Sequence, residues 1–168
     1  LSFWLLALHA PHSGYPQQER EQWWETISEL VRTHHDGDAL FVLGDANAAP
    51  GCSDGLTVLK DGFATSASTS MLKQFSTEFK LYLPATSDAP IGTNTTWVDF
   101  QGTREHCIDH VALPQHWQAR CTGSQVLPDF DLATLYDDHQ VVAVQLQWSA
   151  LLRRPGDRPQ ARPSRKAM

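Results

Sequence analysis

Five side chains in this sequence could do acid–base work on a bound anion, and each lies at the end of an apolar run, inside one or just ahead of one. Phe3–Leu8 ends at His9, and Ala39–Leu43 runs into Gly44, Asp45, Ala46 and Asn47. Asp109 interrupts the largely apolar stretch Cys107–Leu113, and Asp138 and His139 precede Val141–Val144. A lone buried charge is costly unless it is paired or bound to a metal. A carboxylate beside an imidazole meets that need, because it orients the ring and raises its basicity. Asp109 is expected to point inward, on the face that carries Cys107, Val111 and Leu113, with His139 as its partner. Asp45 and Asn47 are two apart, so on an extended chain they face the same way. Each feature alone has an ordinary explanation: an Asx-turn at GDAN, a surface pair at 138–139, a satisfied core carboxylate at 109, a structural His9. Their joint placement points to a site at strand ends, where α/β sheets bind ligands.

The elements that must position these groups follow from the pattern. Phe3–Leu8 reads as a buried central strand. Its apolar run also resembles a short signal-peptide core, but His9 and Pro11 fit that poorly and a buried strand is the expectation. Pro16 starts a helix over about Gln17–Thr33, with Glu19 and Glu21 at its positive end and Trp23, Ile27, Leu30, Val31 and His34 at helical spacing. Ala39–Leu43 is a second buried strand, which makes a βαβ unit with parallel pairing. Pro50 to about Ser70 is Gly/Ser/Thr-rich, with a short helix expected near Leu56–Lys60. Met71–Phe79 reads as a helix and Pro84–Asn94 as loop. Thr95–Phe100, His106–Leu113, Gln118–Val126 and His139–Trp148 are expected strands. The class is α/β, turning antiparallel towards the C-terminus.

Composition narrows the function. The chain of 168 residues suits one domain over residues 1–150. Residues 151–168 form a basic tail, expected to be disordered: Arg153–Lys166 hold six basic side chains against Asp157, whereas residues 1–152 hold 7 basic and 18 acidic. An acidic body excludes a broad basic nucleic-acid surface but suits carboxylates gathered around a divalent cation. No apolar run is long enough for a membrane span. The three cysteines, Cys52, Cys107 and Cys121, form no CxxC pair, which excludes a disulfide scaffold and a thiolate zinc site; zinc is the competing metal given eight histidines, but no HExxH is present and the histidine spacings argue against it.

The ordered set LHAP (Leu8–Pro11), GDAN (Gly44–Asn47), NTTW (Asn94–Trp97), CIDHV (Cys107–Val111) and DDHQVV (Asp137–Val142) resembles the endonuclease/exonuclease/phosphatase superfamily, the DNase I-like phosphoesterases. The resemblance runs from residue 1 to about 148. The HAP start is similar to endonuclease domains of non-LTR retrotransposons. It implies part of a four-layer sandwich, two mixed β-sheets flanked by helices. The family's N-terminal portion, with an Asn-bearing strand and a metal-binding Glu, has no counterpart ahead of His9. Cys107 stands where a basic residue is usual. The sequence therefore reads as the C-terminal part of a longer protein, or as a degenerate copy.

The resemblance also implies chemistry. Mg²⁺, or Mn²⁺, would assist attack of an activated water on a phosphodiester, with DNA as the leading substrate. Asp45 would position or deprotonate the water and Asn47 would bond the phosphate or the water. Asp138 would be the metal-side ligand. His139, oriented by Asp109, would contact the phosphate, and His9 would protonate the leaving group or hold the phosphate from the other side. Thr96 and Asn47 are candidate substrate contacts. A catalytically incomplete domain serving as an interaction surface, and a phosphatase acting on a phospholipid-type ester, are the competing functions. The partners implied are DNA and the missing part of a polyprotein. The location implied is intracellular, and nuclear for a retrotransposon endonuclease.

Overall fold

A computed structural model of the chain describes residues 2–49, 67–84, 95–127, 130 and 138–147. Strand β1 (Phe3–His9) leads into helix α1 (Gln17–His34) and strand β2 (Ala39–Asp45). The β1–β2 pair is parallel, as a βαβ unit requires, with Phe3 opposite Ala39 and His9 opposite Asp45. Glu19 near the start of α1 and Arg32 and His34 at its end complement the helix dipole. The buried face of α1 is Trp24, Ser28 and Val31, with Ile27 partly buried beside it, while Leu30 stays exposed. That face is rotated from the expected stripe, because Trp24 rather than Trp23 lies against Phe75 of helix α2 (Ala67–Glu78).

Strand β3 (Leu81–Tyr82) and strand β6 (Asp109–Pro114) complete a four-stranded sheet in the order β1-β2-β6-β3. Leu40, Val42, Ala112, Leu81, Leu72 and Phe75 form the core between this sheet and the two helices. Two short antiparallel pairs flank it: β4 (Trp97–Val98) with β5 (Glu105–His106), and β7 (Cys121–Leu127) with β8 (Val141–Leu146).

Four expectations change. Strand β1 is neither central nor buried: among the described residues it is the sheet's outer strand, and Phe3 and Leu5 are 58% and 61% exposed. Gln118–Arg120 belongs to a 3₁₀ helix (Gln115–Arg120) that turns the chain after Pro114, so β7 begins only at Cys121. Thr95–Phe100 and His106–Leu113 break up around the short hairpin β4–β5, leaving Cys107 and Ile108 outside any strand. His139 precedes β8 and meets Trp97 through an isolated bridge. The expected helix near Leu56–Lys60, most of the Pro84–Asn94 loop and the basic tail lie outside the described residues.

Candidate active site

Register places the chemistry. His9 lies opposite Asp45 in the parallel pair, and Asp45 lies opposite Asp109 in the antiparallel β2–β6 pair. One row across three neighbouring strands therefore carries an imidazole and two carboxylates. His9 Nε2 is 3.6 Å from Asp45 Oδ2, with the His9 side chain 80% exposed. From the other side the His139 ring brings Nδ1 to 3.0 Å from Asp109 Oδ2. Asp45, Asp109 and His139 offer atoms that all lie within 4.8 Å of one another. The structure thus brings together His9, Asp45, Asn47, Asp109 and His139. Asp138 lies beside this group, exposed, and its Oδ2 accepts the Trp97 indole N–H at 3.3 Å.

Asn47 reaches this group by a route other than the one expected. It is not extended: its φ is +44°, in the left-handed region that Asn tolerates better than most residues. The backbone N–H of Asn47 donates to Asp45 Oδ1 at 2.7 Å, an Asx-turn that folds the chain back at the strand end. Its side-chain amide donates to Asp45 Oδ2 at 3.1 Å and to the Ala10 carbonyl at 2.8 Å. With both amide hydrogens engaged, Asn47 cannot also donate to a phosphate. Its free role is to hold the Asp45 carboxylate, with its own carbonyl oxygen left to accept from water.

Thr96 also departs from expectation. It is 0% exposed, so it cannot touch a substrate. Its Oγ1 instead accepts the backbone N–H groups of Ile108 and Asp109 at 2.9 and 3.0 Å. Asp109 is half-buried, and the most buried face of β6 is the opposite one, with His110 and Ala112. His110 has no metal-ligand spacing in the sequence, yet it is 5% exposed and its Nε2 donates to the Ala48 carbonyl at 2.9 Å. Strand alternation alone, which sets 110 opposite 109, could have placed it.

The group opens into a cleft of about 510 Å³ lined by His9, Asp45, Asn47 and His139 and also by His12, Trp97, Arg104 and His106. Of these, Trp97 and His106 are stacked across the β4–β5 pair, with ring centres 5.4 Å apart and planes 20° from parallel. Asp99 ties the hairpin turn by accepting the N–H groups of Thr103 and Arg104 and the Thr103 hydroxyl. The sequence signal for this wall was the turn-forming stretch Asp99–Gly102 between alternating residues, which a single long-strand assignment obscures.

Electrostatics separate the two acid–base groups. Burial, above all, raises the Asp45 carboxyl above its ordinary value; the Asn47 N–H opposes this and the Asp109 charge reinforces it. For His139, burial favours the neutral ring, but the Asp109 hydrogen bond and the charges of Asp109, Asp45 and Asp138 outweigh it and raise the pKa. Burial lowers that of His110, consistent with a neutral ring. Burial, helped by the Asp109 charge, pushes the Cys107 thiol up to about 12, so it is no nucleophile near neutral pH.

The donor chemistry fits a hard divalent cation. Mg²⁺ is usually held by one or two carboxylates and keeps several waters. His139 Nδ1 is already engaged with Asp109, so the three-residue cluster is not itself a cage. Asp45 and Asp109, whose oxygens lie in that cluster, are the carboxylates that would hold the ion; among the described residues Asp138, the expected metal-side ligand, is not part of the cluster, and its Oδ2 is engaged with Trp97.

Carboxylates and imidazoles at the strand ends of an α/β sheet, opening into one cleft, define a hydrolase-like site on a mixed sandwich. The Endonuclease/Exonuclease/phosphatase family model matches residues 2–163, and the chain belongs to that family. Solved structures agree on the fold. A 3'-5' exonuclease from Neisseria meningitidis superposes with a TM-score of 0.67 at 21% identity, covering 86% of this chain and 61% of that one. An AP endonuclease from Archaeoglobus fulgidus gives 0.66 at 15%, covering 87% and 62%. The endonuclease domain of TRAS1, a telomere-specific non-LTR retrotransposon, gives 0.53 at 17%, covering 77% and 52%. The chain therefore spans about three-fifths of the first two structures and about half of the third. No curated protein matches the sequence. Among the described residues no helix is long and apolar enough to cross a membrane.

Proposed function

We propose that this chain carries the acid–base part of a divalent-cation-dependent phosphodiester hydrolase that cleaves DNA by in-line attack of water. The observation that carries this is the convergence of Asp45, Asp109 and His139 within 4.8 Å, with His9 against Asp45, at an open cleft lined by His9, Asp45 and His139. Asp45 takes the proton of the attacking water; its raised pKa makes it a stronger base than an ordinary carboxylate. Asn47 fixes the direction of that carboxylate. Asp109 sets the His139 ring so that Nε2 faces the cleft, and the protonated ring offsets charge on the phosphoryl oxygens. His9, on the far side of Asp45, donates to the leaving oxygen. A divalent ion held by Asp45 and Asp109 would supply further neutralisation of phosphate charge. Trp97 and His106, with Arg104 beside them, offer a stacking and cationic wall suited to a nucleotide chain.

The 168-residue chain is assayed with Mg²⁺, Mn²⁺ or EDTA on supercoiled plasmid, abasic duplex, RNA and a phosphoinositide. Nicking that needs the metal, and a loss of about 10²–10⁴-fold in rate for Asp45→Ala or His139→Ala, is the expected result. Activity within about twofold of the parent in both variants would remove these roles. The exposed apolar side of β1 favours a second reading, an inactive domain that serves as an interaction surface. No cleavage of any substrate with either metal supports that one instead.

A further inference from the structure

We infer that Thr96 is a positioning residue whose buried hydroxyl and carbonyl together set the distance between the Asp109 carboxylate and the His139 imidazole. The two partners come from separate stretches, and the β2–β6 register that holds Asp109 opposite Asp45 does not reach His139. Asp109 starts β6 after the irregular residues 107 and 108. His139 lies ahead of β8, attached to β4 by a single bridge.

Thr96 joins both. Its Oγ1 accepts the N–H groups of Ile108 and Asp109, which fixes where β6 begins and hence where the Asp109 side chain projects. Its backbone carbonyl accepts the Gln140 N–H at 2.7 Å, and its own N–H donates to the His106 carbonyl at 2.9 Å. The residue after His139 and the residue bearing the carboxylate thus hang from one fully buried side chain and its own peptide. The neighbouring bond from Val98 N–H to the Asp138 carbonyl, 2.9 Å, continues the same seam. A hydroxyl suits this place because it offers two lone pairs to two donors. Valine has the same shape and offers neither, which would leave the part-buried N–H groups of Ile108 and Asp109 without this acceptor.

The inference deepens the proposed catalytic reading and rests on it for its functional meaning, but its test can be read without activity. In the ¹⁵N-labelled full chain, the His139 Nδ1 proton held by Asp109 is expected as a resolved, slowly exchanging imidazole resonance. Thr96→Ser keeps the hydroxyl and should retain that resonance. Thr96→Val should lose it, while the amide spectrum stays dispersed. If the chain cleaves DNA, Thr96→Val should lower kcat by at least tenfold with KM within about twofold, and Thr96→Ser should restore it. A resonance that persists in Thr96→Val, or disappears equally in Thr96→Ser, overturns the inference. If Thr96→Val does not fold, amide exchange in the parent decides. Ile108 and Asp109 amides as slow as those inside β6 support the assignment, and amides that exchange freely overturn it. A normal resonance pattern with no cleavage by the parent would sink the hydrolase reading and leave the positioning role standing.

Discussion

Asp45 and Asp109 face each other across the β2–β6 pair, and each raises a proton affinity nearby: Asp109 acts on both Asp45 and His139. This shared dependence gives a pH prediction with a definite sign. Asp45 must be deprotonated to act as base, so the rate rises as pH climbs through its raised value. His139 must be protonated, so the rate falls as pH climbs through its own raised value. Asp109→Asn removes the negative charge that lifts both, and both limbs of the bell should move to lower pH, with a lower maximum. A pH–rate profile of the variant checks this, and a basic limb that stays in place would show that Asp109 does not govern His139. At this scale the sequence was informative. His9, Asp45, Asp109 and His139 were readable because charged groups beside apolar runs demand partners. Thr96 and Asn47 make other contacts than the resemblance implied, because a shared motif carries over a residue type but not which of its hydrogen-bonding groups are already engaged. His110 was passed over because no metal-ligand spacing surrounds it.

The strand ends that hold these residues depend on close backbone approach. Gly44 immediately precedes Asp45 and adopts φ +136°, and an added Cβ would lie 1.9 Å from the Leu8 carbonyl oxygen. Backbone cannot yield as a flexible side chain can, so Gly44→Ala must push β1 from β2 where His9 meets Asp45. The expected cost is about 3 kcal/mol or more, seen as a lower denaturant midpoint, and the His9–Asp45 contact should be lost with it. A substitution that leaves stability unchanged would mean that this register is not held as described. The βαβ unit itself was legible: α1 was expected over Gln17–Thr33 and spans Gln17–His34, and the parallel pairing follows from strand, helix and strand in sequence. Less could be read where elements are short. The β4–β5 pair has two residues per strand, below the length at which alternation is distinctive, and the 3₁₀ turn at Gln115–Arg120 carries residues that also suit a strand. An apolar run likewise does not tell an outer strand from a central one, which is why β1 was expected inside.

At the scale of the molecule, one side of the sheet is packed by α1 and α2 and part of the other is open. Phe3 and Leu5 project from the same face of β1. Phe3 meets the Phe41 ring edge-on at 5.6 Å, and Phe41 in turn meets Trp117 at 5.1 Å. The result is a run of apolar surface at the sheet's outer strand, the kind of patch that marks an interaction surface or an aggregation liability. The solved structures that share this fold are longer than this chain. The patch should therefore bind an environment-sensitive hydrophobic dye in the 168-residue chain. The double variant Phe3→Ser, Leu5→Ser should cut that signal by at least half. It should change unfolding free energy by less than about 0.5 kcal/mol at Leu5 and by no more than about 1.5 kcal/mol at Phe3, where the edge contact with Phe41 is lost. Comparing dye titration with thermal melts of both proteins separates the possibilities. Unchanged dye binding would place the exposed surface elsewhere. A large loss of stability would show that Phe3 and Leu5 are covered in solution, and that the sheet is closed by contacts other than those of the described residues.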